Sequence, residues 1–351
     1  MFIVDQFLGA FSHDIAIDLG TANTLVLVRG KGIMIREPTV ISQHKKTKQV
    51  LAVGEEAKRM LGKTPASIVA ERPLKNGVIN DLEAAEALLK HFIRKVHKDK
   101  DPRFPRIPRP RVVIAIPSDV TEVERRAVQE VAFNAGAREV FLIEEPMAAA
   151  IGAKLPIEEP AGNMIVDIGG GTTEIGVISL SGLVVGRSVR VAGDEMDMDI
   201  VNYVRARYNL LVGERTAEGL KIESGSAFPS ENESRVQIRG RDLASGLPMT
   251  IMISSGEIRE ALSNTMQTII GAIKDTIEEI PPELMDDIYE RGIHLTGGGS
   301  LLTGLPQLVA KETRVPATLT DDPMTTVVHG AGKVLDDVKL LEKVKITAKI
   351  T

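Results

Sequence analysis

The stretch Asp18–Thr24 reads DLGTANT, and far downstream Asp167–Thr173 reads DIGGGTT. Each follows an apolar or alternating run, Asp14–Asp18 (DIAID) and Met164–Asp167, and each leads into another, Leu25–Val28 and Glu174–Leu180. A glycine-containing turn between two β-favouring runs predicts a hairpin. The two share Asp, an aliphatic residue, Gly and the closing Thr. Two such hairpins, each opening its own half of the chain, predict a duplicated α/β domain with a cleft between the copies.

Chemistry sharpens that expectation. A phosphate group needs several hydrogen-bond donors close together, and side chains at a turn would block access to the backbone N–H groups. Gly20 and Gly169, Gly170 and Gly171 remove the obstruction, predicting two backbone nests for phosphate. Thr21, Asn23, Thr24, Thr172 and Thr173 add donors. Asp18 and Asp167 each end a strand just before its turn. A carboxylate there does not favour phosphate directly, so its natural partner is a divalent cation such as magnesium, which one or two carboxylates and phosphate oxygens hold. Either turn alone is also what an ordinary tight hairpin looks like, since Asp is favoured in turns. A third glycine cluster, Thr296–Ser300 (TGGGS), weighs against that plainer reading. It lies between the aliphatic-rich 292–295 and 301–306, as a strand-to-helix turn against a nucleoside would.

Between the hairpins, Val112–Ile116 reads as a strand ended by Pro117. Thr121 and Glu124 make a capping box for a helix to about Asn134, stopped by Gly136. Val140–Ile143 is a short strand running into Glu144, Glu145, Pro146 and a small-residue helix Met147–Ala153. Leu155–Asn163, with two prolines, reads as a linker, and Lys98–Arg111 as an exposed loop crowded with prolines and bases. A Walker phosphate loop is absent: Gly62-Lys63-Thr64 supplies its tail, but Ala57 stands where the upstream glycine is required. The histidines, His44, His91, His97, His294 and His329 among them, show no metal-ligand spacing.

At 351 residues the chain is expected to form two domains. A 43% apolar share with 26% charged residues is that of a globular protein. The net charge of -5, without a dominant basic patch, gives no reason to expect a nucleic-acid partner. Zero cysteines exclude disulfides and thiol chemistry and fit a reducing compartment. No run approaches the ~20 apolar residues that span a bilayer. At the start, Val4, Phe7, Leu8 and Phe11 recur at helical spacing against Asp5, Gln6, Gly9 and Ser12. The segment lacks the basic start and cleavage site of a signal peptide. It reads as an amphipathic helix, lying either in a membrane interface or on the protein's own body.

These motifs together resemble the five-part signature of the superfamily that holds actin, heat-shock chaperones and sugar kinases. Asp18–Thr24 and Asp167–Thr173 look like its two phosphate loops, Thr296–Pro306 its adenosine motif, and the small-residue helices around 148–151 and 330–334 its inter-lobe connections. Within it, DIAIDLGTANT, Arg111–Pro117 with the VERR that follows, IEEPMAAAIG, MIVDIGGGTTEIGVISL, AGDEMD, ERTAE and LTGGGSLLTGLP resemble the MreB family of bacterial actin-like cell-shape proteins over nearly the whole chain.

The resemblance implies an actin-like two-lobed α/β fold, each lobe a duplicated RNase H-like domain, with the nucleotide cleft between lobes. It places a membrane-binding segment at 1–13 and domain I at 14–155 plus 320–351, with a small subdomain at about 37–80. Domain II follows at 156–319, with a small subdomain at about 195–255. ATP or ADP and Mg2+ are the implied cofactors. Asp18 and Asp167 would organise magnesium through its waters. Gly20, Thr21, Ala22, Asn23, Gly169, Gly170, Gly171 and Thr173 would hold phosphates. Glu218 and Lys221 would contact ribose and base, and Gly297, Gly298, Gly299 and Ser300 the adenosine. Glu145 would orient the attacking water opposite Thr172, with the adjacent Glu144 as the alternative. As implied partners the resemblance gives other copies of the chain in paired protofilaments, lipids at the inner face of the cytoplasmic membrane, and membrane proteins of cell-wall synthesis. Phe2, Ile3, Val4, Phe7, Leu8 and Phe11, together with Phe104 and Ile107, are the implied membrane contacts. Arg103, Arg106, Arg109 and Arg111 would supply the lipid attraction that the terminus lacks; a charged solvent loop is the plainer reading.

Three rival functions stay in view. A sugar kinase needs a substrate site and a base. A chaperone ATPase needs a peptide-binding domain, for which the sequence after 334 leaves no room. A filament protein that uses nucleotide as a switch with negligible hydrolysis differs only in rate.

Overall fold

Both hairpins form where the glycine turns predict them. In the computed structural model, which describes residues 12–98, 109–229 and 233–346, β1 (Ile15–Leu19) pairs antiparallel with β2 (Asn23–Val28), and β2 with β3 (Gly32–Pro38). An insertion follows. Its β4 (Ile41–His44), β5 (Val50–Val53), α1 (Glu55–Met60) and β6 (Ile68–Glu71) build a three-stranded sheet with one helix, and β7 (Leu74–Lys75) and β8 (Val78–Ile79) form a small ribbon. The chain continues through α2 (Leu82–Val96), β9 (Arg111–Ile116), α3 (Glu122–Asn134), β10 (Glu139–Glu144) and α4 (Glu145–Gly152). β9 joins parallel to β1, and β10 to β9, completing the order β10-β9-β1-β2-β3. Parallel neighbours need crossover connections, which α2 and α3 supply.

The second half repeats this plan. β11 (Asn163–Ile168), β12 (Thr173–Ser179) and β13 (Gly182–Val189) form the antiparallel meander. The insertion holds α5 (Gly193–Tyr208), β14 (Leu210–Leu211), α6 (Glu214–Ser224), β15 (Arg235–Asp242), β16 (Pro248–Ser254) and α7 (Ser255–Ala261). Then come α8 (Ser263–Glu278), α9 (Pro282–Arg291), β17 (Ile293–Thr296), a 3-10 turn Gly298–Leu301, α10 (Leu305–Thr313), β18 (Ala317–Leu319), α11 (Thr326–Asp336) and α12 (Val338–Val344). The sheet order β13-β12-β11-β17-β18 is the first sheet's order read from the other end. Hairpin, third strand, insertion, helix, parallel strand, helix, parallel strand and small-residue helix recur in sequence, with α9, the 3-10 turn and α12 as extra elements.

Each sheet has its own apolar core. A third core joins the two, built from Ile143 and Met147–Ile151 around α4, Val327, Ala331 and Val334 on α11, and Ile165 and Ile178 from the second sheet. Here α4 packs on β11 and β12, while α11 returns to β1, β2 and β9. The two helices cross at backbone contact: a Cβ on Gly152 would lie 1.9 Å from the Thr326 carbonyl oxygen, and one on Gly330 1.8 Å from that of Ala148. Only glycine fits either position.

Local signals hold elsewhere. Thr121 and Glu124 form the reciprocal capping box of α3. Pro146 occupies the first turn of α4, where its missing N–H costs nothing. The terminal helix with Phe2, Ile3, Val4, Phe7, Leu8 and Phe11, and the Phe104 and Ile107 loop, lie outside the described residues. Among the described residues no helix is long and apolar enough to cross a membrane.

Candidate functional site

The two glycine turns face each other across a cavity of about 380 Å³. The first contributes Asp18, Gly20, Thr21, Ala22 and Asn23, and the second Asp167, Gly169, Gly170, Gly171 and Thr172. They touch. A Cβ on Gly170 would stand 2.6 Å from the Ala22 Cβ, so the second turn lacks side chains partly because the first occupies the space. The Thr21 hydroxyl accepts from the Gly77 amide at 3.0 Å, which draws the β7–β8 ribbon against the site.

Asp18 and Asp167 stand near the ends of β1 and β11, one on each sheet, and both line the cavity. Burial pushes the Asp18 carboxyl up to about 7. Burial, then Asp18 and Glu174, push Asp167 up to about 8. Among the described residues neither forms a salt bridge. Two close carboxyls that resist ionising on their own are a donor set suited to a divalent cation. No cluster of three or more His, Cys, Asp or Glu among the described residues holds a metal by itself, so the remaining ligands would be phosphate oxygens and water.

Of the two glutamates, Glu145 lines the cavity and Glu144 does not. Burial, then Glu174, Asp167 and Asp18, raise the Glu145 carboxyl well above its usual range. Glu144 is the residue before α4 and sits near Arg125; burial still raises its carboxyl.

Two other candidates turn inward. Thr173 is fully buried and its hydroxyl donates to the Val191 carbonyl at 2.8 Å, whereas Thr172, in the turn before β12, lines the cavity. Ser300 is also fully buried, its hydroxyl donating to the Gly297 carbonyl at 2.7 Å and closing the 3-10 turn. Both shape the site without lining it. Thr24 behaves likewise, sharing a hydrogen bond with Thr39.

Gly297, Gly298, Gly299, Leu301, Leu302, Pro323 and Met324 supply an apolar part of the cavity wall. Glu218 and Lys221 share the cavity face of α6, but they do not pair with each other. Lys221 Nζ lies 2.7 Å from Asp197 Oδ1 and donates to the Gly193 carbonyl at 2.6 Å, whereas Glu218 accepts from Lys58 at 2.8 Å. Burial raises Asp197 to about 6 against the pull of Lys221.

Sequence reasoning missed Glu174. It is fully buried in β12, accepts from the Ser118 amide at 2.9 Å and the Ser118 hydroxyl at 2.7 Å, and accepts a further hydrogen bond from Ser188. Burial raises its carboxyl while these bonds oppose the rise. The one signal was an acid at the head of an otherwise apolar strand, TEIGVIS.

Comparison with known proteins agrees with this geometry. The family described as MreB/Mbl protein matches residues 12–343. The cell shape-determining protein MreB of Escherichia coli K12 is 51% identical over 338 residues, covering 95% of this chain and 96% of that protein. The cell shape-determining protein Mbl of Bacillus subtilis 168 is 49% identical over 337 residues, covering 96% and 100%. The crystal structure of Spiroplasma citri MreB5 bound to ADP superposes with a TM-score of 0.87 at 39% identity, covering 95% and 98%, and the same protein is known bound to AMPPNP. A MamK double helical filament shares the fold at a TM-score of 0.78 and 22% identity, covering 93% and 99%. With two matching glycine turns, a crossed pair of small-residue helices and half its residues identical to cell-shape proteins along almost its full length, this chain belongs to the MreB/Mbl family.

Proposed function

We propose that this protein binds and slowly hydrolyses ATP, and that hydrolysis is coupled to its assembly into paired actin-like filaments on the inner face of the cytoplasmic membrane. There it would organise cell-wall synthesis and maintain a rod shape. The observation that carries the reading is the meeting of the two glycine turns at one cavity, lined also by two aspartates whose carboxyls resist ionising. The nucleotide-bound state of Spiroplasma citri MreB5 supports it.

The chemistry follows from the residues. The exposed amides of the two turns cradle the polyphosphate, and Thr21, Asn23 and Thr172 add side-chain donors. Asp18 and Asp167 would hold magnesium, whose charge neutralises the phosphate oxygens when bound. Glu145 accepts a hydrogen bond from the attacking water and aligns it with the terminal phosphate, Thr172 fixing it from the other lobe. Such alignment works by position and electrostatics. Leu301, Leu302 and Met324 exclude water around the base, while Glu218 and Lys221 face the sugar.

Electron microscopy of the purified protein with magnesium-ATP on anionic lipid tests the reading. Filaments on lipid support it, and their detachment on removing the residues before Ser12 places the anchor there. Filaments that stay bound move the anchor to the Phe104 loop. No filaments under any nucleotide or lipid condition, with ATP-dependent phosphorylation of a sugar, would replace the cytoskeletal reading with a kinase.

A further inference from the structure

Two ion pairs join the insertions of the two lobes to each other beside the cavity. Lys58 on α1 donates to Glu218 on α6, Nζ to Oε1 at 2.8 Å. Arg72, just past β6, donates to Asp194 in the first turn of α5, Nη1 to Oδ1 at 2.7 Å. Both cations come from the first lobe and both anions from the second, so the two faces are complementary in charge. Asp194 and Glu218 line the cavity, whereas Lys58 and Arg72 stand behind them. The four side chains are 24–33% exposed, partly sheltered yet reachable by salt. Burial alone would pull the Arg72 guanidinium down, but Asp194, then Glu218 and Glu214, raise it above its ordinary value. Another pair between the lobes, Arg190 with Glu124, is longer at 3.8 Å, and Arg190 is more exposed.

We propose that Lys58 and Arg72 are positioning residues of the nucleotide site: together they clasp the second lobe's insertion over bound nucleotide and set how fast it escapes. The inference rests on the ATP reading above. Glu218 gives Oε1 to Lys58 and leaves Oε2 with no hydrogen bond to the protein among the described residues. One carboxylate therefore receives a ribose hydroxyl and the first lobe's ammonium together, so that filling the site and closing the lobes favour each other. At the neighbouring pair, the Asp194 amide donates to the Gly170 carbonyl at 2.7 Å. Arg72 thereby steadies the second phosphate turn through the residue it grips. Pairs this exposed add little to global stability and weaken in salt. That suits a contact which must open in every exchange cycle.

The test is the release of a preloaded fluorescent ATP analogue, with magnesium, into excess ATP. Arg72→Glu, which places like charges opposite each other, is expected to speed release about 5- to 10-fold at low salt, with the gap closing near ~0.5 M salt. Lys58→Met, which removes attraction without adding repulsion, gives about 3-fold. Restoring the pair in reverse, Arg72→Glu with Asp194→Arg, returns release to within about 2-fold of the parent, a rescue that a merely structural role does not produce. Uptake by the parent with unchanged release from Arg72→Glu, or a double variant as fast as the single one, overturns the clasp alone. A parent protein that never takes up the probe overturns the ATP reading and the clasp with it.

Discussion

Leu25 and Glu174 hold the same place in the two halves of the molecule, each directly after the Thr that closes its glycine turn. Leu25 is a buried apolar residue and needs no partner. Glu174 is a buried acid held by hydrogen bonds from Ser118 of the first lobe and Ser188 of its own. The hairpin itself therefore does not call for an acid. The same contrast recurs at the connecting helices, since α4 opens with Glu145 and its counterpart α11 with Thr326. The insertions differ too, one offering Lys58 and Arg72, the other Asp194, Asp197 and Glu218. The duplicated halves share what builds a sheet and the glycine turn proposed to hold a phosphate. They diverge at the residue proposed to orient water and where the two lobes meet.

Variants can break that comparison at either end. The halves are alike at the helix crossing, so Gly152→Val and Gly330→Val should cost nearly equal stability, about 3 kcal/mol each, read by denaturant melts. A large difference between them would deny the symmetry. Glu145→Ala should slow phosphate release about 100-fold while filaments persist, because the counterpart helix α11 opens with Thr326 rather than an acid. Unchanged release would remove Glu145 from the role. Glu174→Leu, which makes the second hairpin like the first, should cost about 2 kcal/mol by orphaning the Ser118 amide and two hydroxyls. Stability equal to the parent would mean that those donors find water. The smallest effect concerns pH. Asp18 and Asp167 carry raised pKa values, about 7 and about 8, so the folded protein keeps protons that the unfolded chain releases. Stability of the ligand-free protein should accordingly fall by several degrees in Tm as pH rises from about 4 toward 8. Magnesium-ATP should flatten the slope, and an unaltered slope would count against cation binding at the pair.

Features carried by near neighbours were legible in the sequence. The hairpins, the Thr121–Glu124 cap, the linker at 155–163 and the third glycine cluster all rest on local turn and capping chemistry. What no local pattern marks are pairings between lobes. Lys58 meets Glu218 across 160 positions, and Arg72 meets Asp194 across 122. Glu174 finds Ser118 across 56. Each depends on how two completed lobes dock, and a charged residue in a list of charged residues gives no hint of its partner.

That both glycine turns serve one triphosphate is the claim on which the rest stands. The most direct measurement is calorimetric titration of magnesium-ATP into the parent protein, Gly20→Val and Gly170→Val. One site per chain, with affinity lost about 10-fold or more when either turn is blocked, is the expected result. Full affinity in either variant would contradict it, leaving the blocked turn an ordinary hairpin outside the site.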